Sequence, residues 1–106
     1  MHQDLFLQIR TNLLVKINSS EIYYIETENL FSKIVTASTT YRINIALYRL
    51  EPLLPEDLFF RVSRAFIVSI DKISKIEEEA VIVNEKEIFI SKKTRDILIT
   101  HLKIIG

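Results

Sequence analysis

Residues Phe59–Ile70 read F-F-R-V-S-R-A-F-I-V-S-I, so apolar residues flank a short polar insert on both sides. The two apolar ends are typical of buried strands, and the insert contains Arg61, Ser63 and Arg64. Arginine presents its N–H donors in a fixed planar fork and stays charged, so it suits a phosphate or a guanine edge. Alternatively, Arg61 and Arg64 pair with Asp or Glu side chains of this chain, and the local sequence leaves both interpretations open.

The composition is that of one folded domain covering residues 1–106. Hydrophobic residues make up 48% of the chain, which excludes an intrinsically disordered protein. The absence of cysteine excludes disulfides, thiolate metal sites and cysteine catalysis. Fourteen basic and fourteen acidic side chains give a formal charge of zero, which disfavours a nucleic-acid binder. A chain with separated charged faces can nevertheless present a basic surface.

No pattern in the sequence predicts catalysis, a cofactor or a metal site. His2 and His101 stand at opposite ends of the chain, without acidic neighbours at the spacing of metal ligands. The chain has neither a glycine-rich phosphate loop nor a nucleophile elbow. Glu26 and Glu28 lie on one face of a predicted strand, and we interpret them as salt-bridged or solvated edge residues. We therefore expect a protein that is not an enzyme.

The hydropathy pattern argues against a membrane protein. The chain has no run of about eighteen apolar residues, and its N-terminus lacks the features of a signal peptide. We expect a cytoplasmic protein.

Most of the chain is predicted to form short strands, because runs of β-branched and aromatic residues alternate with polar turn residues. The predicted strands are 5–9, 14–17, 22–28, 31–37, 40–43, 59–62, 66–68, 73–77, 80–83 and 87–90. Asn29 is predicted to occupy a turn position with positive φ. The expected fold is mainly β, with about ten short strands in small antiparallel sheets.

Two helices complete the prediction. A short central helix is expected, with Asn44 as its N-cap, and Pro52 should kink this helix or end it early. Its apolar residues recur at helical spacing at Ala46, Leu47, Leu50 and Leu54. Ser91 is predicted to cap a C-terminal helix. The apolar stripe expected on that helix consists of Ile97, Leu98, His101, Leu102 and Ile105.

Several spaced segments together resemble the LytTR DNA-binding domain over about residues 5–104. They are I-Y-Y-I-E at 22–26, L-Y-R-L-E-P-L-L-P at 47–55, the central motif at 59–69, I-S-K-I at 73–76 and I-F-I-S at 88–91. This domain forms the output half of many bacterial response regulators of the LytR/AlgR/AgrA type. The resemblance implies a transcriptional regulator that binds double-stranded DNA through loops entering successive major grooves. It also implies direct-repeat sites in promoters and a homodimer on DNA.

The resemblance assigns DNA contacts to three places in the chain. These are Ser32 and Lys33 in the fourth predicted strand, Ser63 and Arg64 in the central motif, and Lys92 and Lys93 after the last strand. Arg61 is either a phosphate clamp or a strut that supports the loop, and we favour the strut.

The central motif departs from the family pattern, which is usually Arg-x-His-Arg-Ser-Phe-x-Val-Asn. Here Ser63 replaces the histidine, Ala65 the serine and Ser69 the asparagine, so candidate phosphate donors are lost. We therefore expect weaker binding or a changed sequence preference. The alternative is a β module that has lost DNA binding and acts in protein interaction or self-association.

Overall fold

The computed structural model describes residues 2–106 and has ten strands and two helices in that range. The strands are β1 (Asp4–Arg10), β2 (Leu13–Asn18), β3 (Ile22–Glu28), β4 (Phe31–Thr36), β5 (Thr40–Ile43), β6 (Phe59–Arg61), β7 (Phe66–Ser69), β8 (Ile73–Ile76), β9 (Ala80–Val83) and β10 (Lys86–Phe89). The helices are α1 (Leu47–Leu50) and α2 (Lys92–Ile99). The predicted mainly-β fold is confirmed.

All strand pairs are antiparallel and form three sheets. β1 and β2 form a two-stranded sheet, and β8, β9 and β10 form a three-stranded sheet. The largest sheet has five strands in the order β5-β4-β3-β7-β6. Residues Phe59–Ile70 supply β6 and β7 of this central sheet, and their polar insert is the loop between the two strands.

The domain has two hydrophobic cores, and the first lies against one face of the central sheet. Ile25 pairs with Ile34 on β4 and with Ile67 on β7, and all three side chains are fully buried. They pack against residues of the β1–β2 sheet and of α1. Alternation along each strand places these isoleucines on a single face, which explains why they form one apolar layer.

The opposite face of the central sheet carries the second core. Val68 on β7 is fully buried and packs with Tyr24 and Phe60. Residues of β9 and β10, together with Leu98 of α2, cover them. The central sheet therefore lies between two layers, with β1, β2 and α1 on one side and β8–β10 and α2 on the other.

The first helix differs from the prediction at its start. The N-cap is Ala46, which makes no side-chain capping bond, so the prediction of Asn44 was wrong. The chain still bends through Asn44 and Ile45 after β5, and α1 begins only at Leu47. As predicted, the α-helix ends before Pro52, which lies in a 3₁₀ turn at Glu51–Leu53.

The second helix begins as predicted and ends earlier than predicted. The Ser91 hydroxyl accepts a hydrogen bond of 3.1 Å from the Thr94 backbone N–H, which is the predicted cap. Of the predicted apolar stripe, Leu98 is fully buried and Leu102 packs on the second core. Ile105 lies beyond the helix and is 89% exposed, so its assignment to the stripe was wrong.

We expect Leu98→Ala to lower the free energy of unfolding by about 2–5 kcal/mol, because it leaves a cavity between α2 and the second core. Denaturant unfolding followed by circular dichroism measures the change. Ile97→Ala is the matched control in the same helix, since that side chain is 48% exposed. An equal loss of stability in both variants would show that α2 does not dock through Leu98.

Candidate nucleic-acid interface

The loop between β6 and β7 is held by the side chain of Arg61. Its Nε donates to the carbonyl oxygen of Ser63 at 2.5 Å, and Nη2 donates to the carbonyl oxygen of Arg64 at 2.8 Å. Nη1 forms an ion pair with the Glu51 carboxylate at 3.0 Å, which ties the loop to the 3₁₀ turn after α1. One guanidinium thus fixes two successive loop carbonyls. Arg61 is the strut that the sequence analysis favoured, and its side chain is only 25% exposed.

Two further hydrogen bonds order the same loop. The Ser63 hydroxyl accepts from the Ala65 backbone N–H at 3.3 Å, closing a local turn. The Thr27 backbone N–H donates to the Ala65 carbonyl at 2.9 Å, which fixes the loop against the end of β3. Arg64 at the tip is exposed, and its guanidinium makes no ion pair with any described residue. The loop therefore presents one uncompensated cation on an ordered backbone.

Ser69, the last departure from the family motif, lies in a different environment. It is 4% exposed at the end of β7 and pairs with Phe59 across the sheet. A side chain at this position points into the fold. Ser69 itself is therefore not placed to contact a phosphate.

Ser32 is also inaccessible. Its side chain is fully buried, and its hydroxyl donates to the carbonyl oxygen of Ile45 at 2.6 Å. Ser32 therefore ties β4 to the segment before α1, and the structure does not bring its side chain to the surface. Lys33, the next residue, points to the other face of the sheet because successive side chains alternate.

Lys33 forms an ion pair on the face that it shares with Phe66. Its Nζ lies 3.6 Å from Oε1 of Glu26, directly across the β3–β4 ladder. The two side chains are 29% and 26% exposed. Phe66, Glu26, Lys33 and Arg42 lie side by side on β7, β3, β4 and β5, and we call these four residues the charged row. Since strands lie about 4.8 Å apart, the backbones of Phe66 and Lys33 are about 10 Å apart.

Two cations that the sequence analysis missed lie in or beside this row. Arg42 pairs with Lys33 across β4 and β5, and its Nε lies 2.6 Å from the carboxylate of Glu28. The Nζ of Lys86 lies 5.8 Å from the ring centre of Phe66. The alternation of charged residues along β3–β5 could have predicted the ion pair between Arg42 and Glu28. No sequence pattern predicts that Lys86 approaches Phe66. Its approach to Phe66 depends on how two sheets pack.

The acidic residues in and beside the charged row affect the ionisation of their neighbours. A hydrogen bond from Arg42 lowers the pKa of Glu28, so this carboxylate stays charged and compensated at neutral pH. Burial, and then the charge of Glu26, raise the pKa of Tyr24. Tyr24 therefore remains a neutral phenol beside the row. Glu26 and Glu28 are salt-bridged, which was one of the two predicted alternatives, but β3 is the middle strand of the central sheet, so their assignment to an edge was wrong.

Lys92 and Lys93 form the first two positions of α2 and are exposed. Within residues 2–106 neither side chain makes an ion pair. Arg95, one turn further on, donates from Nε to the carbonyl of Glu77 at 2.8 Å and so holds α2 against the β8–β9 loop. Among residues 2–106, no hydrogen bond or ion pair joins Lys92 or Lys93 to the β6–β7 loop.

Within residues 2–106 no group of three or more His, Cys, Asp or Glu residues is placed to hold a metal ion. The same residues contain no helix that is long and apolar enough to cross a membrane.

Comparison with known proteins identifies the family. The model of the LytTr DNA-binding domain family matches residues 12–103. The chain belongs to this family. LytTr domains are DNA-binding domains and not enzymes, so the chain is a DNA-binding domain by descent.

A solved structure confirms the fold independently. The LytTr DNA-binding domain of a Bacillus cereus protein superposes with a TM-score of 0.76 at 20% sequence identity. The match covers 95% of this chain and 97% of that chain. No curated protein sequence matches this chain.

We expect Arg61→Ala to lower the free energy of unfolding by about 1–3 kcal/mol, because it removes charged donors from two loop carbonyls. Arg61→Lys should restore little of this loss, since one ammonium cannot reproduce the planar fork. Denaturant unfolding gives the stability. Amide hydrogen exchange at Ser63, Arg64 and Ala65 reports the order of the loop, and unchanged protection there in Arg61→Ala would contradict the strut.

Proposed function

We propose that this domain binds double-stranded DNA sequence-specifically as part of a bacterial transcriptional regulator, and that the β6–β7 loop enters a major groove. The observation that carries the proposal is the exposed Arg64 at the tip of a loop whose backbone Arg61 holds in place. An ordered loop loses little conformational entropy when it binds DNA, so the free-energy cost of placing Arg64 against a base is low. Family membership supports DNA binding at the level of the domain.

In this proposal Arg64 reads a base. Its guanidinium has no competing carboxylate among the described residues, and the fork matches the O6 and N7 acceptors of guanine. Ser63, which lies next to it and is partly buried, orders the turn and is close enough in sequence to share the contact. Arg61 contributes indirectly, through the loop that it holds.

Lys33 and the α2 lysines act on phosphates in this proposal. Lys33 exchanges the Glu26 carboxylate for a DNA phosphate, a step that the 3.6 Å separation and partial exposure of the pair favour. Lys92 and Lys93 need no such exchange, because no acidic side chain of residues 2–106 pairs with them. Phosphate contacts fix register and supply salt-dependent affinity without reading sequence.

The remaining parts of the proposal concern the assembly. Two copies occupy two direct repeats of a promoter site as a homodimer on DNA, and the protein works in the cytoplasm under the control of a two-component system. Residues 1–106 act as one domain in that assembly. Membership of a family of DNA-binding domains supports DNA as the partner. The arrangement of two copies on direct repeats is proposed from the resemblance to the family.

We expect Arg64→Ala to weaken binding to the preferred site by about 1–3 kcal/mol and to relax selectivity at one base pair. Arg64→Lys should keep part of the affinity and lose the same selectivity, since lysine retains the charge without the fork. Selection from a random duplex library, followed by fluorescence anisotropy over a range of salt concentrations, measures both.

The matched control for Arg64 is Arg49→Ala. Arg49 is also exposed, and it lies on α1, across the central sheet from β8–β10. Identical base preferences in wild type and Arg64→Ala would show that Arg64 does not read sequence.

We expect Glu26→Gln to raise DNA affinity, because it releases Lys33 from its ion pair without removing the lysine. The logarithmic dependence of affinity on salt should steepen by about one unit if Lys33 then contacts a phosphate. Glu56→Gln removes the same charge from an exposed loop and is the control for net charge. The gain should disappear in Lys33→Ala/Glu26→Gln, and a gain that persists there would exclude Lys33.

A second candidate function rests on the same ion pairs. Lys33 and Arg42 are compensated by Glu26 and Glu28, so much of the row is electrically neutral. A neutral row suits a protein partner better than a phosphate backbone. Wild-type protein that binds no duplex at low salt would favour this interaction module.

A further inference from the structure

A groove lies between β1 and the segment 43–54, which contains α1 and the 3₁₀ turn that follows it. Its volume is about 730 Å³, and small-molecule sites usually have volumes of roughly 300–1,000 Å³. Residues 5–11 form one wall. Because an extended chain rises ~3.4 Å per residue, that wall is about 20 Å long. The groove is therefore large enough for a small molecule and long enough for an extended one.

Most of the side chains that line the groove are apolar. At its bottom the groove reaches Ile22, Ile34 and Ile43, which are buried residues of the first core. Phe6 on one wall and Leu53 on the other are 64% and 65% exposed. Large apolar side chains that remain in water along a concave surface mark a binding site. An apolar group between the two walls would remove both side chains from water.

The charged side chains of the groove all have the same sign. Arg10 on β1 and Arg49 on α1 line it, and none of the Asp or Glu residues among 2–106 does. Both arginines are exposed, and neither makes an ion pair with a described residue. Each wall of an apolar groove therefore carries one uncompensated cation.

The acidic residues next to the lining segments in sequence have other partners. Oδ1 of Asp4 accepts a hydrogen bond of 3.1 Å from Nδ2 of Asn18 on β2. The carboxylate of Glu51 forms its ion pair with Arg61, which belongs to the β6–β7 hairpin. Neither carboxylate pairs with the arginines of the groove, so the groove favours an anion.

The combination of apolar walls and free arginines matches one class of molecule. We propose that the groove binds a small amphipathic carboxylate, of which a medium-chain fatty acid is the simplest example. The apolar chain lies along the groove and covers Phe6 and Leu53. The carboxylate pairs with Arg10 at the end of β1, because a guanidinium can donate two parallel hydrogen bonds to a carboxylate. Arg49 adds to the positive potential from the opposite wall.

This site is separate from the proposed DNA interface. None of the residues to which we assign a DNA contact lines the groove. The groove lies in the layer of β1, β2 and α1, whereas Lys92 and Lys93 belong to the layer on the other side of the central sheet. Ligand binding is measured without DNA, so its failure would leave the proposed DNA binding untouched.

Titration of the whole chain with sodium decanoate, below the concentration at which it forms micelles, tests the proposal. Methyl NMR spectra report both affinity and place. We expect saturable shifts of the Ile45 and Leu53 methyl groups, with the Val81 and Val83 methyl groups of β9 unchanged. Decyltrimethylammonium has the same chain with a cationic head, and acetate has the same head without the chain. Each should bind at least about tenfold more weakly than decanoate.

Two pairs of variants separate the contributions of charge and apolar surface. Arg10→Ala should weaken decanoate binding by about tenfold, and Arg10→Lys should keep part of the affinity because the charge remains. Leu53→Glu places a carboxylate in the groove and should abolish binding. Leu30→Glu is its matched control, since Leu30 is 77% exposed and does not line the groove, and it should bind decanoate as wild type does.

Circular dichroism confirms that each variant is folded, so a lost interaction is not a folding defect. Wild type whose groove methyl groups do not shift with decanoate would overturn the proposal. Equal affinity for decanoate and decyltrimethylammonium would also overturn it, because the groove would then be an apolar contact surface without preference for an anion. Binding that survives unchanged in Leu53→Glu would place the ligand elsewhere and overturn it as well.

Discussion

The central sheet is covered on both faces along β3, β6 and β7, and this constraint organises the molecule. Ile25, Ile34 and Ile67 are fully buried on one side, and Val68 on the other. A sheet covered on both sides cannot present its middle to a ligand, so only its loops and the margins beyond the covering layers reach solvent. The β6–β7 loop and the charged row lie at such margins. The position of the candidate site is thus a consequence of packing.

Within that arrangement, two arginines three residues apart have different tasks. Arg61 lies where the strand ends, and its donors are taken by the carbonyls of Ser63 and Arg64 and by Glu51. Arg64 lies beyond the strand, where no described carboxylate reaches it. The difference follows from position in the hairpin, since both side chains have the same chemistry. Arg61 therefore orders the loop backbone, and the ordered loop holds Arg64 exposed to solvent.

The strands could be predicted because each carries a local signal. β3 matches its predicted bounds, and Asn29 has the predicted positive φ of 57°. The site was less predictable, because exposure depends on which layer covers a strand. Ser32 follows an exposed phenylalanine and precedes a charged lysine, yet it is buried, since alternation turns it towards Ile45. Lys86 has no local signal at all, because Phe66 comes to it from another sheet.

The zero net charge is compatible with a DNA-binding domain once the ion pairs are located. The acidic residues Glu26, Glu28 and Glu51 each compensate a particular basic residue, namely Lys33, Arg42 and Arg61. These three pairs stabilise strands and a loop, and they leave Arg64, Lys92 and Lys93 without acidic partners among residues 2–106. The net charge counts ion-paired and unpaired basic side chains equally. A phosphate backbone is attracted mainly by the basic side chains that have no acidic partner. A neutral composition therefore does not exclude binding, because three of the fourteen basic side chains are held in ion pairs while Arg64, Lys92 and Lys93 are not.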